Sequence, residues 1–222
     1  MHLPNLPPHR RGPTHENAVN PQSETSFLRE NATLARLLRR SLPEPRTGTT
    51  RPLQILDLAC GPCREASTLV ETLRARHPGA PAIRFVGADI RSRELEEAAA
   101  RARAGQLTDA EFITTDCSQL DRIRSLGDDF DLAFLRHQNF WNDPAAWRRI
   151  FQHGLARLRD DGLLVITSYF DREHELATRA LEAAGAELIV STRNEDSIAL
   201  PTPGKSVDRH LAVFRRRSSQ PH

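Results

Sequence analysis

From Pro52 onward the chain repeats one pattern: a short run of β-branched and large apolar residues, then a stretch with apolar residues at helical spacing. Residues 53–59 lead into a period carrying Ala66, Leu69, Val70 and Leu73, and residues 83–90 into one carrying Leu95, Ala98, Ala99 and Ala102. The run 110–115 precedes a short helix near Leu120 and Ile123, 130–136 precedes a helix with Trp147, Ile150, Phe151 and Leu158, and 163–170 precedes a helix over 176–184. Strands and helices in alternation leave few architectures open. Parallel neighbours need crossovers, crossovers are right-handed, and helices then cover both faces of a single sheet. The last two runs, 186–192 and 207–215, have no helical period between them and are expected to form an antiparallel hairpin at the sheet edge. The sequence thus predicts an α/β fold with a doubly wound, mostly parallel sheet and a C-terminal antiparallel hairpin.

At 222 residues the chain has room for one such domain and small appendages. Residues 1–22 carry five prolines without periodicity and read as a flexible arm. Residues 23–51 hold an amphipathic helix, with Phe27, Leu34, Leu38 and Leu42 on one face, and a proline-rich connector. The main domain spans 52–217, and 218–222 are a tail. No apolar run approaches the roughly 20 residues that cross a bilayer, and the N-terminus lacks the apolar stretch of a signal peptide, so a cytoplasmic location is expected. Positive charge gathers at the ends, while residues 52–214 hold 20 basic against 25 acidic side chains. That balance argues against a nucleic-acid groove across the body. Cys60, Cys63 and Cys117 are too few for a disulfide framework and fit a reducing compartment. Cys60 and Cys63 are spaced as zinc ligands, but no second pair follows, so no metal is expected.

The most informative segment runs from the first strand through Asp57, Ala59, Cys60, Gly61, Pro62 and Cys63 to Arg64 and Glu65 at a helix start. In a doubly wound sheet such a turn lies where ligands bind. Gly61 lets the backbone approach a ligand, and the following helix offers free N–H groups. The second and third strands also end on carboxylates, Asp89 and Asp116.

This arrangement resembles the class I S-adenosylmethionine-dependent methyltransferases, whose first motif reads D-x-G-x-G-x-G after a strand. Asp57 and Gly61 match it, while Ala59 and Cys63 stand where the family usually has glycines. The resemblance extends over 53–215 and implies a Rossmann-like seven-stranded sheet and S-adenosylmethionine as cofactor. It further implies that Asp89 receives the ribose hydroxyls, Ile90 lies against the adenine, Asp116 takes the adenine amino group and the N–H of Cys117 meets a ring nitrogen. Ala59, Cys60, Gly61 and Arg64 in the turn, and Arg136 at the end of the fourth strand, are the other candidate cofactor contacts. A dinucleotide cofactor is the competitor, but G-x-G-x-x-G is absent: Arg64 occupies its last position and Pro62 removes an N–H.

Methyl transfer is an in-line displacement that asks the protein mainly to align the acceptor and exclude water, with a base where the acceptor must lose a proton. After the fourth strand come His137, Asn139, Phe140 and Trp141. His137 is the candidate base, Asn139 the candidate orienter of the acceptor, and the two aromatics candidate walls; the other reading is that His137 and Asn139 cap the next helix and that Trp141 belongs to the core. Tyr169, Phe170, Arg172 and His174 follow the fifth strand, and the polar stretch 194–206 could border the pocket. The Asn-Pro-Pro-Tyr type pattern of enzymes that methylate amino groups in nucleic acids is absent, which favours a small-molecule acceptor. The alternative is a non-catalytic S-adenosylmethionine-binding protein that contacts RNA or protein.

Overall fold

The computed structural model describes residues 21–45 and 49–217. Most of the expected N-terminal arm and the tail 218–222 lie outside the described residues. A seven-stranded sheet forms the centre, built from β1 (Leu53–Leu58), β2 (Ile83–Asp89), β3 (Ala110–Thr114), β4 (Phe130–Arg136), β5 (Leu158–Ser168), β6 (Ala186–Arg193) and β9 (His210–Arg216). Its order is β3-β2-β1-β4-β5-β9-β6, with β9 antiparallel to both β5 and β6. The connection from β6 to β9 is not a plain loop: β7 (Ile198–Ala199) and β8 (Ser206–Val207) pair within it as a small ribbon.

Alternation along each strand sorts the core into two layers. Leu56, Leu58, Val86, Ala88, Ala133 and Leu135 pack with α4 (Pro144–Ala156) and α5 (Asp171–Ala183) on one face. Ile55, Phe85, Leu132, Phe134 and Val165 pack with α1 (Pro21–Ser41), α2 (Ala66–Arg76) and α3 (Ser92–Ala104) on the other. Several boundaries differ from expectation, α5 beginning at Asp171 rather than 176 among them. Helix α1 starts at Pro21, inside the predicted arm, because proline is tolerated in a first helical turn, where its missing N–H has no intrahelical partner. Leu158 belongs to β5 rather than to α4: it pairs with Phe130, and an irregularity separates that pair from the next, Leu132 with Leu163. None of the described helices is long and apolar enough to cross a membrane.

Strand order decides where a ligand can sit. From β1 the chain crosses to β2 on one side, while β4 pairs with β1 on the other, so the carboxyl ends of β1 and β4 part at a topological switch point.

Candidate functional site

At that switch point lies a cleft of about 520 Å³, lined by the turn after β1, the ends of β2 and β4, Tyr169 and Glu30 of α1. The size falls within the usual range for small-molecule sites. The turn is unusual in its backbone: Ala59, Gly61 and Cys63 all have positive φ, at 52°, 54° and 44°. The left-handed region that glycines would occupy freely is kept by two side-chain-bearing residues. That conformation costs an L-residue on the order of 1 kcal/mol, only part of which returns through the stiffer unfolded chain. Ala59→Gly is therefore expected to raise unfolding free energy by about 0.5 kcal/mol in urea titration; a loss of stability would show that the Ala59 methyl group packs usefully.

The Gly61 N–H donates to Asp89 Oδ2 at 2.7 Å, tying the turn to β2. Asp89 Oδ1 also accepts from the N–H of Arg91 at 2.9 Å and its Nε at 3.0 Å. Burial pushes the Asp89 carboxyl up, but the Arg91 and Gly61 hydrogen bonds outweigh it and hold the group below its ordinary value, as an anion. Ile90, 68% exposed, stands beside it as an apolar surface at the mouth of the cleft. The Arg91 guanidinium lies over Gly61, where a Cβ would meet Arg91 Nη2 and Glu94 Oε2 at 2.8 Å.

Asp57 is fully buried beneath the turn, and neither carboxyl oxygen receives a donor. Burial first, then the neighbouring Glu65 carboxylate, lift its pKa well above the usual range, which favours the neutral acid. Arg136 lies between two acids, 3.1 Å from Glu65 Oε2 and 2.6 Å from Asp208 Oδ2. Burial alone would favour its neutral form; Asp208 and Glu65 more than offset that. Asp208, in the bend between β8 and β9, also accepts from Thr167 Oγ1 at 2.8 Å. Although fully buried, it is held far below the carboxylate range by Arg136 and His137.

His137 Nε2 lies 2.9 Å from Asp208 Oδ1 and accepts the Asp208 N–H at 3.0 Å. The first contact suits a charged ring and the second a neutral one. No hydrogen bond from the described residues engages Nδ1. The ring stacks on Tyr169 with centroids 3.7 Å apart, and Lys205 Nζ lies 4.3 Å from the Tyr169 centroid. Asn139 lines the same cleft.

The predicted site residues thus separate. Ala59, Cys60, Gly61, Arg64, Asp89, Ile90, Arg136, His137 and Asn139 line one cleft, with Asp57 directly beneath. Asp116 and Cys117 are not among its lining residues. The Asp116 carboxylate accepts from the N–H of Ser118 and from Gln119 Nε2, both at 2.8 Å, and caps the 3-10 turn Cys117–Arg122. The buried Cys117 thiol points at Ala88 O, 3.4 Å away. Phe140 is not a wall: it is 3% exposed and stacks on Phe151 in the core. Trp141 is 41% exposed and leans on Phe170, while Trp147, expected in the core, lines the cleft. Arg172 pairs with Glu175 on the surface, and His174 is buried between Ser168 and Ser191. Against expectation, Cys60 and Cys63 are joined by a disulfide; two residues between them let the tight turn bring the Cα atoms to 4.9 Å, a span that a disulfide bridges. Glu65, Arg91 and Asp208 were missed. The available signal was Arg136 itself, a cation closing an apolar strand, which burial obliges to find counter-charges.

Residues 55–162 match the family described as methyltransferase domain. No protein of curated function matches the sequence. Among solved structures, the chain is similar to a TehB-like SAM-dependent methyltransferase from Corynebacterium glutamicum, at 20% identity over 88% of this chain and 97% of that one, TM-score 0.57. It is similar to an S-adenosylmethionine-dependent methyltransferase from Clostridium acetobutylicum, at 12% identity over 89% and 94%, TM-score 0.59. A third is the magnesium protoporphyrin IX methyltransferase of Synechocystis with bound SAM, at 15% identity over 93% and 87%, TM-score 0.58. At such identities the likeness is one of fold.

Proposed function

Since the chain is a member of the class I S-adenosylmethionine-dependent methyltransferase family, we propose that it transfers the methyl group of that donor to a nucleophilic atom of a small-molecule acceptor. The observation that carries this reading is one cleft joining an anionic carboxylate beside an open-backbone turn to an aromatic and imidazole wall. The residues fit the donor. Asp89 supplies acceptors for two ribose hydroxyls once Arg91 swings aside, Ile90 offers its exposed side chain to the adenine, and Gly61 gives the backbone approach. Among the described residues Arg64 makes no ion pair, and it lines the cleft, so its guanidinium is available to the donor's carboxylate. Arg136 is held by Glu65 and Asp208; its part is to fix them rather than to bind the donor. Asp116 and the N–H of Cys117 would meet the adenine edge only from the rim. Bound there, the donor supplies an activated methyl group that needs no metal.

At the reacting end, Asp208 Oδ1 fixes the His137 ring by accepting from a proton-bearing Nε2. Nδ1 is then the nitrogen left to take a proton from the acceptor. Asn139 orients the acceptor, and Tyr169 backs the imidazole and narrows the space in which the nucleophile can move. Incubating the protein with methyl-labelled donor and a cell extract, then separating products by size, tests the acceptor class. Label is expected in the small-molecule fraction; label confined to RNA or protein would refute it. With the acceptor in hand, His137→Gln is expected to lower turnover about 100-fold, with donor affinity unchanged.

A further inference from the structure

Cys60 and Cys63 bracket the cofactor turn, and nothing in methyl transfer calls for sulfur at either position. The two differ in access. Cys60 lines the cleft and is 8% exposed, whereas Cys63 is 2% exposed, with its Sγ filling the space a Cβ on Gly87 would need, 2.6 Å away. Beneath them lies Asp57: one ligating atom from each of the three side chains falls within 4.8 Å of the others, and all three residues are buried. While the sulfurs are bonded to each other they offer no hydrogen, and both Asp57 oxygens go without a donor. A thiol would supply a donor to the carbonyl oxygen of that acid. The bonded state instead closes the turn covalently, restraining the chain where Ala59 and Cys63 hold positive φ. Each oxidation state therefore has its own stabilising feature, the condition under which a dithiol and its disulfide interconvert.

We infer that Cys60 and Cys63 form a thiol–disulfide exchange site, reacting with small-molecule thiols and disulfides through Cys60, which sets how tightly the turn holds the methyl donor. In the oxidising direction the Cys60 thiolate attacks one sulfur of a small disulfide and expels a thiolate. The Cys63 thiolate then attacks Cys60 Sγ and expels the second. The pair loses two electrons and two protons, and two small thiols form. Reduction by a small dithiol runs the same exchange backwards, the dithiol leaving as its own cyclic disulfide. Cys117 is a bystander, its thiol pushed up to about 12 by burial.

The affinity half of this inference rests on the donor occupying this turn; the exchange half does not. Both are read on the full chain equilibrated with graded mixtures of reduced and oxidised dithiothreitol, by alkylation and mass measurement of native protein and by calorimetry with S-adenosylhomocysteine. Cys60 and Cys63 are expected to titrate together with Cys117 constant. Bound S-adenosylhomocysteine should slow reduction about tenfold by covering Cys60. The reduced protein should bind it at least about fivefold more weakly than the bonded form. A Cys60→Ser, Cys63→Ser double variant should show the reduced affinity whatever the dithiothreitol ratio; should it fail to fold, the two states of the native chain still give the comparison. A pair that does not respond to dithiothreitol, or a reduced protein that retains one equivalent of zinc after dialysis, overturns the exchange site. Equal affinity in the two states overturns its control of the donor. Binding to neither state while the pair still titrates removes the donor from this turn and leaves the exchange site standing.

Discussion

Replacing Asp89 by Asn is expected to weaken donor binding about 100-fold, an effect on binding as large as that of His137→Gln on turnover. The carboxylate is 4% exposed and anionic, and it already accepts the N–H of Gly61. An amide removes the charge and turns one acceptor into a donor, which must face either Gly61 N–H, Arg91 or a ribose hydroxyl. Two charge-assisted hydrogen bonds at about 1.5 kcal/mol each come to roughly two powers of ten. Arg91→Ala separates this from general damage to the site. Its guanidinium covers Gly61 and Asp89, so truncation should leave affinity unchanged or raise it. Calorimetry with S-adenosylhomocysteine checks both. Unaltered affinity in Asp89→Asn would mean that the ribose lies elsewhere.

How much of this could be read beforehand follows from the range of each interaction. Period-2 and period-3.6 patterns are local, so the strands, the helices and the antiparallel end were legible, and the turn with Asp57 and Gly61 could be placed at a strand end. The switch point then brought Asp89 and His137 together, because register is set by the same apolar alternation. Pairings between distant segments were not legible. Asp208 meets Arg136 and His137 across 72 and 71 residues. Nothing near Asp208 in the sequence distinguishes it from a surface turn residue. Phe140 went to the core and Trp147 reached the cleft as well as the core for a related reason: the segment after β4 ends in a tight turn before α4, and helical phase alone does not say which aromatic faces the cleft. The disulfide was invisible because an odd count of three cysteines says nothing about a pair closed within one turn.

Asp208→Asn should cost about 3–5 kcal/mol of unfolding free energy, and the reason lies in Arg136. Its guanidinium is 9% exposed at the side chain, with Glu65 and Asp208 as its carboxylate partners among the described residues. Removing one leaves a buried cation half compensated, a far larger loss than the net worth of the pair. For a chain of this length the change corresponds to a melting temperature lowered by about 10 °C. The acid limb should change as well. Asp208 titrates lower in the folded protein than in the unfolded chain, so its contribution is complete above the unfolded value near 3.8 and is lost as pH falls below it. The variant should therefore lose less stability than the wild type below about pH 4. Glu173 acts with the opposite sign: burial lifts its carboxyl to about 7, so its contribution is present at low pH and is lost as pH rises towards that value. His174, which burial lowers to about 4, costs stability as pH falls from its unfolded value of 6.5. Between pH 4.5 and 6.5 these two slopes oppose each other. The Asp208 effect is thus read most cleanly below that window, by urea titration of wild type and variant at a series of pH values. If the two acid limbs run parallel, Arg136 is held by Glu65 alone, and Asp208 serves only to position His137.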